Sequence, residues 1–244
     1  MATFVLVHGA FEGGWCWQRV ASRLRAQGHD VHTPTLAGCG DRAHLLTRET
    51  DLETHVQDVC SRLEMEDLND VVLVGHSYGG TVITVAADRS AARIRRVVYL
   101  DGSAPDHGQA STGAFAEGTE DKLAEMSSGT DWLLPPLPLE AVGFTDLADG
   151  EWVDMRRRSH PMRTLYEPIE LKRGKADPPF PISYVAHTRK QALVELFGAD
   201  PLAPFVEKAR ERGWRLREIE AGHDAMLTHP DAVARVLEEE AAEA

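Results

Sequence analysis

Short apolar runs recur along the chain and alternate with segments in which apolar residues follow helical spacing. The first run, Phe4-Val5-Leu6-Val7, is continuous and ends at His8-Gly9, which is typical of a strand buried on both faces of a parallel sheet. Similar runs lie at Asp30–His32, Val71–Val74, Val97–Leu100, Ile182–Ala186 and Trp214–Ile219. This alternation of strand and helix predicts a doubly wound α/β sheet.

Helix signals fill the spaces between most of these runs. The segment from Cys16 to Ala26 places its apolar residues on one face and stops before a glycine. Thr50 and Glu53 stand at the spacing of a capping box, with an apolar helical face behind them. Thr228, followed by Pro230, predicts the start of the last helix.

The alternation stops between about Pro105 and Pro181, where the chain is rich in glycine and proline and also in large apolar residues. A structureless loop of that length is uncommon in a compact domain. We therefore expect a helical lid over residues 105–181, inserted into a core formed by residues 1–104 and 182–244, all within one continuous domain.

Composition and charge narrow the partners. The 244 residues carry 26 basic and 39 acidic side chains, a net charge of −13, which disfavours nucleic-acid binding. No apolar run approaches the length of a membrane span, no signal peptide is visible, and the odd number of three cysteines disfavours a disulfide framework. We expect a cytoplasmic protein with no membrane or nucleic-acid partner; a homodimer stays open.

The sharpest chemical signal is Gly75-His76-Ser77-Tyr78-Gly79-Gly80, which follows a predicted strand and precedes a helical stretch. This is the context of a G-x-S-x-G nucleophile elbow, in which the serine hydroxyl projects from a strained turn. The small neighbours let the strand and the helix backbones pass close together. Ser77 is therefore the candidate nucleophile, and the N–H of Tyr78 is a candidate oxyanion donor.

A nucleophilic serine needs a base and a second oxyanion donor. Among eleven histidines, His223 follows the last strand and stands where the chain order serine, acid, histidine requires it. His229 is a weaker rival because it precedes a proline at a helix start. The turn after the first strand offers the second donor, with the Ala10 N–H ahead of that of Phe11. His8 in the same turn reads as a structural hydrogen-bonding residue.

These motifs resemble the α/β-hydrolase fold, and within it the branch of small esterases, plant methyl-ester esterases and hydroxynitrile lyases. The resemblance rests on His8-Gly9-Ala10 with Gly14-Trp15, on the elbow, and on Gly222-His223-Asp224-Ala225-Met226. It covers nearly the whole chain, is weakest in the lid, and implies about six strands. Hydroxynitrile lyases of this branch carry a lysine after the catalytic histidine and a threonine after the first-strand histidine. Asp224 and Gly9 stand there in this chain, which favours hydrolysis.

The third triad member departs from the pattern of the plant relatives, whose acid follows the penultimate strand. Arg189 falls at about that point in this chain, and no acidic residue occurs there before Glu195. Asp101 ends the strand expected beside the elbow strand, about 4.8 Å away, and acids at this earlier position occur in other branches of the superfamily. We predict Asp101 as the acid; Asp200, Asp106 and Asp224 are the alternatives.

Together these residues predict a serine hydrolase that cleaves a small, largely apolar carboxylic ester or lactone without a metal or other cofactor. Four aromatic residues are candidate substrate contacts: Phe11, Trp15, Trp132 and Trp152. Two alternatives remain open. One uses the same site non-hydrolytically, for C–C cleavage, cyclisation or decarboxylation of a polyketide-like molecule; the other is a ligand-binding receptor on the same fold.

Overall fold

The computed structural model describes residues 1–144 and 147–243. The strands found there are β1 (Thr3–Val7), β2 (Asp30–His32), β3 (Val71–His76), β4 (Ile94–Leu100), β5 (Leu133–Leu134), β6 (His160–Pro161), β7 (Ile182–His187) and β8 (Arg215–Ile219). The α-helices found there are α1 (Gln18–Ala26), α2 (Leu52–Met65), α3 (Gly79–Arg89), α4 (Thr119–Ser127), α5 (Leu147–Asp154), α6 (Arg163–Tyr166), α7 (Gln191–Phe197), α8 (Ala203–Glu211), α9 (Ala225–Thr228) and α10 (Pro230–Ala242).

Six strands form one parallel sheet in the order β2-β1-β3-β4-β7-β8. The predicted α/β class and the number of sheet strands are thereby confirmed. Strand β4 begins at Ile94, three residues before the predicted start at Val97. The apolar run in the sequence begins later than the strand because Arg95 and Arg96 precede it. Arg96 is nonetheless buried, since its guanidinium lies 3.3 Å from the buried Glu240 carboxylate.

Alternate residues of each strand enter two separate apolar cores, as the strand period of two requires. Val5, Leu73 and Val97 belong to the core shared with α2, α3 and α8. Leu6 and Val74 belong to the core shared with α1 and α10. The sheet is therefore covered on both faces, and its carboxyl edge is left to carry the site.

The predicted capping box before α2 is shifted by one residue. Asp51 is the N-cap, and its carboxylate accepts the N–H of Thr54 at 2.8 Å. Thr50 instead accepts the N–H of Thr47 at 3.1 Å. The two adjacent residues are both good capping types, so the spacing alone did not distinguish them.

Residues 105–181, of which residues 145 and 146 lie outside the described structure, contain α4, α5 and α6. They also contain an antiparallel pair, β5 with β6, that the helical interpretation did not include. Two-residue strands are too short to leave a periodic signal. The segment meets the carboxyl edge of the sheet: the Arg158 N–H donates to the Phe11 carbonyl at 2.9 Å, and the Asp224 N–H donates to the Val142 carbonyl at 2.9 Å. In the described part of the chain, every helix is too short or too polar to cross a membrane.

Candidate active site

Ser77 occupies the sharp turn between β3 and α3, with a backbone φ of +51°. That region is strained for any residue with a side chain. Glycine makes the turn sterically possible, since a Cβ on Gly79 would lie 2.5 Å from the His8 carbonyl oxygen and one on Gly80 would lie 2.2 Å from that of Ser103. The glycines therefore allow the backbones of the strand, the turn and the helix to pack closely around the serine.

His223 lies in the loop after β8, and its Nδ1 is 2.7 Å from Oδ2 of Asp101. Asp101 is fully buried and His223 is 7% exposed. Because an ionised carboxylate only accepts hydrogen bonds, Nδ1 carries the proton and Nε2 is left as an acceptor. Ser77 and His223 line the same cavity.

Asp101 is brought to this position by the end of β4. Its N–H donates to the Val185 carbonyl on β7 at 2.8 Å, and its φ is +40°. The three alternative acids have other partners. Asp106 pairs with Lys208 and Arg212, Asp200 pairs with Lys190, and Asp224 lies 3.9 Å from the ring of His76.

Two further buried histidines hold the His223 loop. The Nε2 of His76 and the Nδ1 of His187 meet the backbone carbonyl of His223 at 3.0 and 2.9 Å, and each donates to it. Burial lowers the pKa of His187 to about 3, so this ring is neutral. His187 was absent from the predicted site because its contact is to backbone and no motif marks it.

The protonation states of Asp101 and His223 depend on their burial and on the nearby Lys190 cation. Burial alone would raise the pKa of Asp101, but the Lys190 ammonium, 2.8 Å away, and the His223 hydrogen bond hold that pKa well below its usual range. Burial lowers the pKa of His223, and the hydrogen bond that its Nδ1–H donates to Asp101 opposes this only in part. The resting state therefore holds an aspartate anion against a neutral imidazole, the arrangement that a general base requires.

The turn after β1 approaches the elbow. Phe11 has a φ of +70°, and the Gly9 N–H donates to the Glu12 carboxylate at 3.3 Å. His8 is fully buried; its Nδ1 is 2.7 Å from the Gly9 carbonyl, and its Nε2 accepts the Leu36 N–H at 3.0 Å. Both ring nitrogens of His8 are thus occupied by backbone groups.

The cavity that contains Ser77 and His223 has a volume of about 70 Å³. Ala10 and Tyr78 line it, as does Phe11, one of the predicted substrate contacts. The rest of its wall is almost wholly leucine and phenylalanine, contributed by the 105–181 segment and by residues just after β7. These residues are Phe115, Leu123, Leu134, Leu137, Leu165, Leu193, Phe197 and Leu202.

The three predicted tryptophan contacts are not in the cavity wall formed by the described residues. Trp15 and Trp152 pack edge to face with ring centroids 5.4 Å apart, and the Arg48 guanidinium lies 5.3 Å from the Trp132 ring. In the sequence the tryptophans stand out as candidate contacts because they are large and aromatic. The leucines that do line the cavity are indistinguishable in sequence from ordinary core residues.

One group of potential metal ligands comes together within the described residues: His76, His223 and Asp224, all buried. The His76 Nε2 and the His223 Nδ1 already have protein hydrogen-bond partners at 3.0 and 2.7 Å. The geometry is that of a hydrogen-bonded framework around the His223 loop.

A parallel doubly wound sheet with a serine on a strained strand-to-helix turn defines the α/β-hydrolase fold. A sequence model described as "Alpha/beta hydrolase family" matches residues 4–236. The chain belongs to this family and is a carboxylesterase-like hydrolase.

Named relatives agree with that class. The chain is 37% identical to a carbendazim hydrolyzing esterase from Nocardioides sp., over 97% of this chain and 98% of the relative. It is 26% identical to methylesterase 10 of Arabidopsis thaliana, over 98% and 91% of the two chains. Among solved structures, an extracellular α/β-hydrolase from a Paenibacillus species matches with a TM-score of 0.78 and 24% identity, over 97% and 98% of the chains. A methylesterase from Arabidopsis matches with a TM-score of 0.74 and 21% identity over the full length of both.

Proposed function

We propose that the protein hydrolyses a small, largely apolar carboxylic ester or lactone through a Ser77–His223–Asp101 triad. The observation that carries the proposal is the buried 2.7 Å contact between Asp101 and His223, whose loop shares a cavity with the elbow serine. A receptor would have no need of a strained serine together with a carboxylate-oriented histidine.

The reaction follows from these groups. The His223 Nε2 takes the proton of the Ser77 hydroxyl as its oxygen attacks the ester carbonyl, and Asp101 stabilises the imidazolium that forms. The N–H groups of Ala10 and Tyr78 bind the oxyanion. His223 then protonates the leaving alcohol, and water hydrolyses the acyl-enzyme by the reverse sequence of proton transfers.

The cavity supports the substrate class. Its wall is apolar and its volume is about 70 Å³, which favours a small group without charge beside the scissile carbonyl. The similarity to a carbendazim hydrolyzing esterase, which extends over 97% of this chain, also favours ester hydrolysis. Three buried, unpaired cysteines support a reducing cytoplasm as the working compartment.

The test uses the purified protein with p-nitrophenyl acetate and a panel of methyl, aryl and lactone esters. We expect turnover by the wild type and a loss of at least about 10³-fold in Ser77→Ala. Ser61→Ala, on the outer side of α2, is the matched control and should keep full activity. A serine-directed phosphonate should label the Ser77 peptide, and acid plus alcohol should appear in equal amounts.

Full activity in Ser77→Ala, or labelling of a different serine, would remove the nucleophile assignment. Labelling of Ser77 with no ester turnover, accompanied by C–C cleavage or decarboxylation products, would favour the non-hydrolytic use of the same site.

A further inference from the structure

A buried lysine stands directly behind the proposed triad. Lys190 follows β7, and only 6% of its side chain is exposed. Its Nζ lies 2.8 Å from Oδ1 of Asp101 and 2.7 Å from Oδ2 of Asp200. A lysine is rarely buried to this degree unless it is paired, and this one is paired twice.

The lysine and the histidine divide the carboxylate of Asp101 between them. Oδ2 meets the ring of His223 at 2.7 Å, and Oδ1 meets Lys190 at 2.8 Å together with the His187 N–H at 3.3 Å. Donors on both oxygens oppose rotation of the carboxylate about its Cβ–Cγ bond. The rotamer of Asp101 that accepts from His223 is thereby fixed by the donors on its other oxygen.

The same contact supplies charge. A fully buried carboxylate is strongly disfavoured as an anion unless it is paired; Asp101 accepts from the Lys190 ammonium, from the His223 ring and from the His187 N–H. His187, whose Nδ1 lies 3.9 Å from Oδ2, is held neutral by burial. Tyr184 is held neutral because burial raises its pKa well above the usual value. Lys190 keeps its proton, because Asp101 and Asp200 together outweigh the effect of its burial on its pKa.

Besides burial, two neighbouring groups oppose the protonation of His223: the His76 ring, whose centroid lies 4.6 Å from that of His223, and the Lys190 cation. The pKa of His76 is itself raised, because Glu12 and Asp224 outweigh the effect of its burial. Asp200 limits the effect of the Lys190 cation, since its carboxylate shares the lysine and is itself fixed by the Leu202 N–H at 3.0 Å. Removing the lysine and removing the outer carboxylate should therefore change the basicity of His223 in opposite directions.

We propose that Lys190 and Asp200 form an accessory ion pair that fixes the rotamer of Asp101 and places a cation behind the Asp101–His223 pair, with Lys190 as a positioning residue for that pair. The inference rests on the proposed function for its catalytic consequence. It concerns a property of His223 that can also be measured without turnover.

The experiment compares Lys190→Met, Lys190→Arg and Asp200→Asn with the wild type. It measures kcat/KM for p-nitrophenyl acetate against pH, and the titration of the His223 ring by NMR with ¹³C-labelled histidine, assigned through His223→Gln. In Lys190→Met the His223 midpoint should rise by about one pH unit, and kcat should fall about 10-fold or more with little change in KM. In Asp200→Asn the midpoint should move to lower pH. Lys190→Arg, which keeps the charge, should restore most of both properties.

Lys208→Met is the matched control, because Lys208 is also a part-buried lysine paired at 2.7 Å, with Asp106. It should leave the His223 midpoint unchanged. Equal midpoints in the wild type and in Lys190→Met, or shifts of the same sign in Lys190→Met and Asp200→Asn, would overturn the proposal. If Lys190→Met fails to fold, the direction of the Asp200→Asn shift decides. If no ester is turned over at all, the proposed function fails while the NMR titration still tests the ion pair.

Discussion

Asp101 and His223 stand 122 positions apart in the chain, yet the Oδ2 of one lies 2.7 Å from the Nδ1 of the other. The contact joins the end of β4 to the loop after β8, with β7 between the two strands. The contact excludes water from the aspartate, since Asp101 is fully buried. A charge in such a place is retained only because it is paired.

Asp101→Asn is therefore expected to lower kcat by about 10³- to 10⁴-fold while leaving KM nearly unchanged. The amide matches the carboxylate in shape, but it can no longer stabilise the imidazolium or enforce the proton on Nδ1. Steady-state kinetics with p-nitrophenyl acetate, together with thermal unfolding to verify the fold, makes the measurement.

Asp200→Asn is the comparison, since Asp200 was an alternative acid and meets Lys190 instead of His223. Near the optimum pH it should keep kcat within about a factor of ten. If Asp200→Asn abolishes turnover and Asp101→Asn does not, the acid has been assigned to the wrong strand.

Gly80 is expected to be essential for packing at the start of α3. A Cβ there would lie 2.2 Å from the Ser103 carbonyl oxygen, which is backbone and cannot rotate away. Gly80→Ala should lower the free energy of unfolding by about 2–3 kcal/mol and also reduce kcat, because α3 must shift beside Ser77. Urea denaturation measures the first effect.

Gly129→Ala provides the control, since a Cβ there meets nothing within 4 Å. Its free energy of unfolding should stay within about 0.5 kcal/mol of the wild type. Equal stabilities for the two variants would contradict the close approach of α3 to the segment after β4.

Much of the fold was predictable because it depends on local signals. Apolar runs mark four of the six sheet strands, the outer strands β2 and β8 carry more polar residues, and the elbow glycines mark a turn in which only small residues fit. Ser77 and His223 line one cavity, and their catalytic roles stay a prediction. Asp101 required one topological step, the adjacency of β3 and β4, which strand order in α/β folds makes accessible.

The remainder depends on contacts that no local pattern carries. In the sequence Lys190 is one of two adjacent cations, with Arg189, and only the fold reveals that it is buried between two carboxylates. The six cavity leucines come from three helices, one strand and two loops, so no single periodic pattern relates them. Their size suggests the tryptophans as substrate contacts, but in the structure they pack against arginines and against each other.

Phe197, at the end of α7, should limit the size of the acyl group. It is part of the wall of the 70 Å³ cavity, and Phe197→Ala would add space beside the scissile carbonyl. Each buried methylene contributes about 0.8 kcal/mol, so the ratio of kcat/KM for p-nitrophenyl butyrate over acetate should rise roughly tenfold. Leu196→Ala is the matched control: Leu196 is the preceding residue of the same helix and packs, like Phe197, against the core shared with α1 and α10, but among the described residues it is not part of the cavity wall. It should leave the ratio unchanged; a similar rise in both variants would mean that general loosening of α7, and not the volume beside Ser77, selects the substrate.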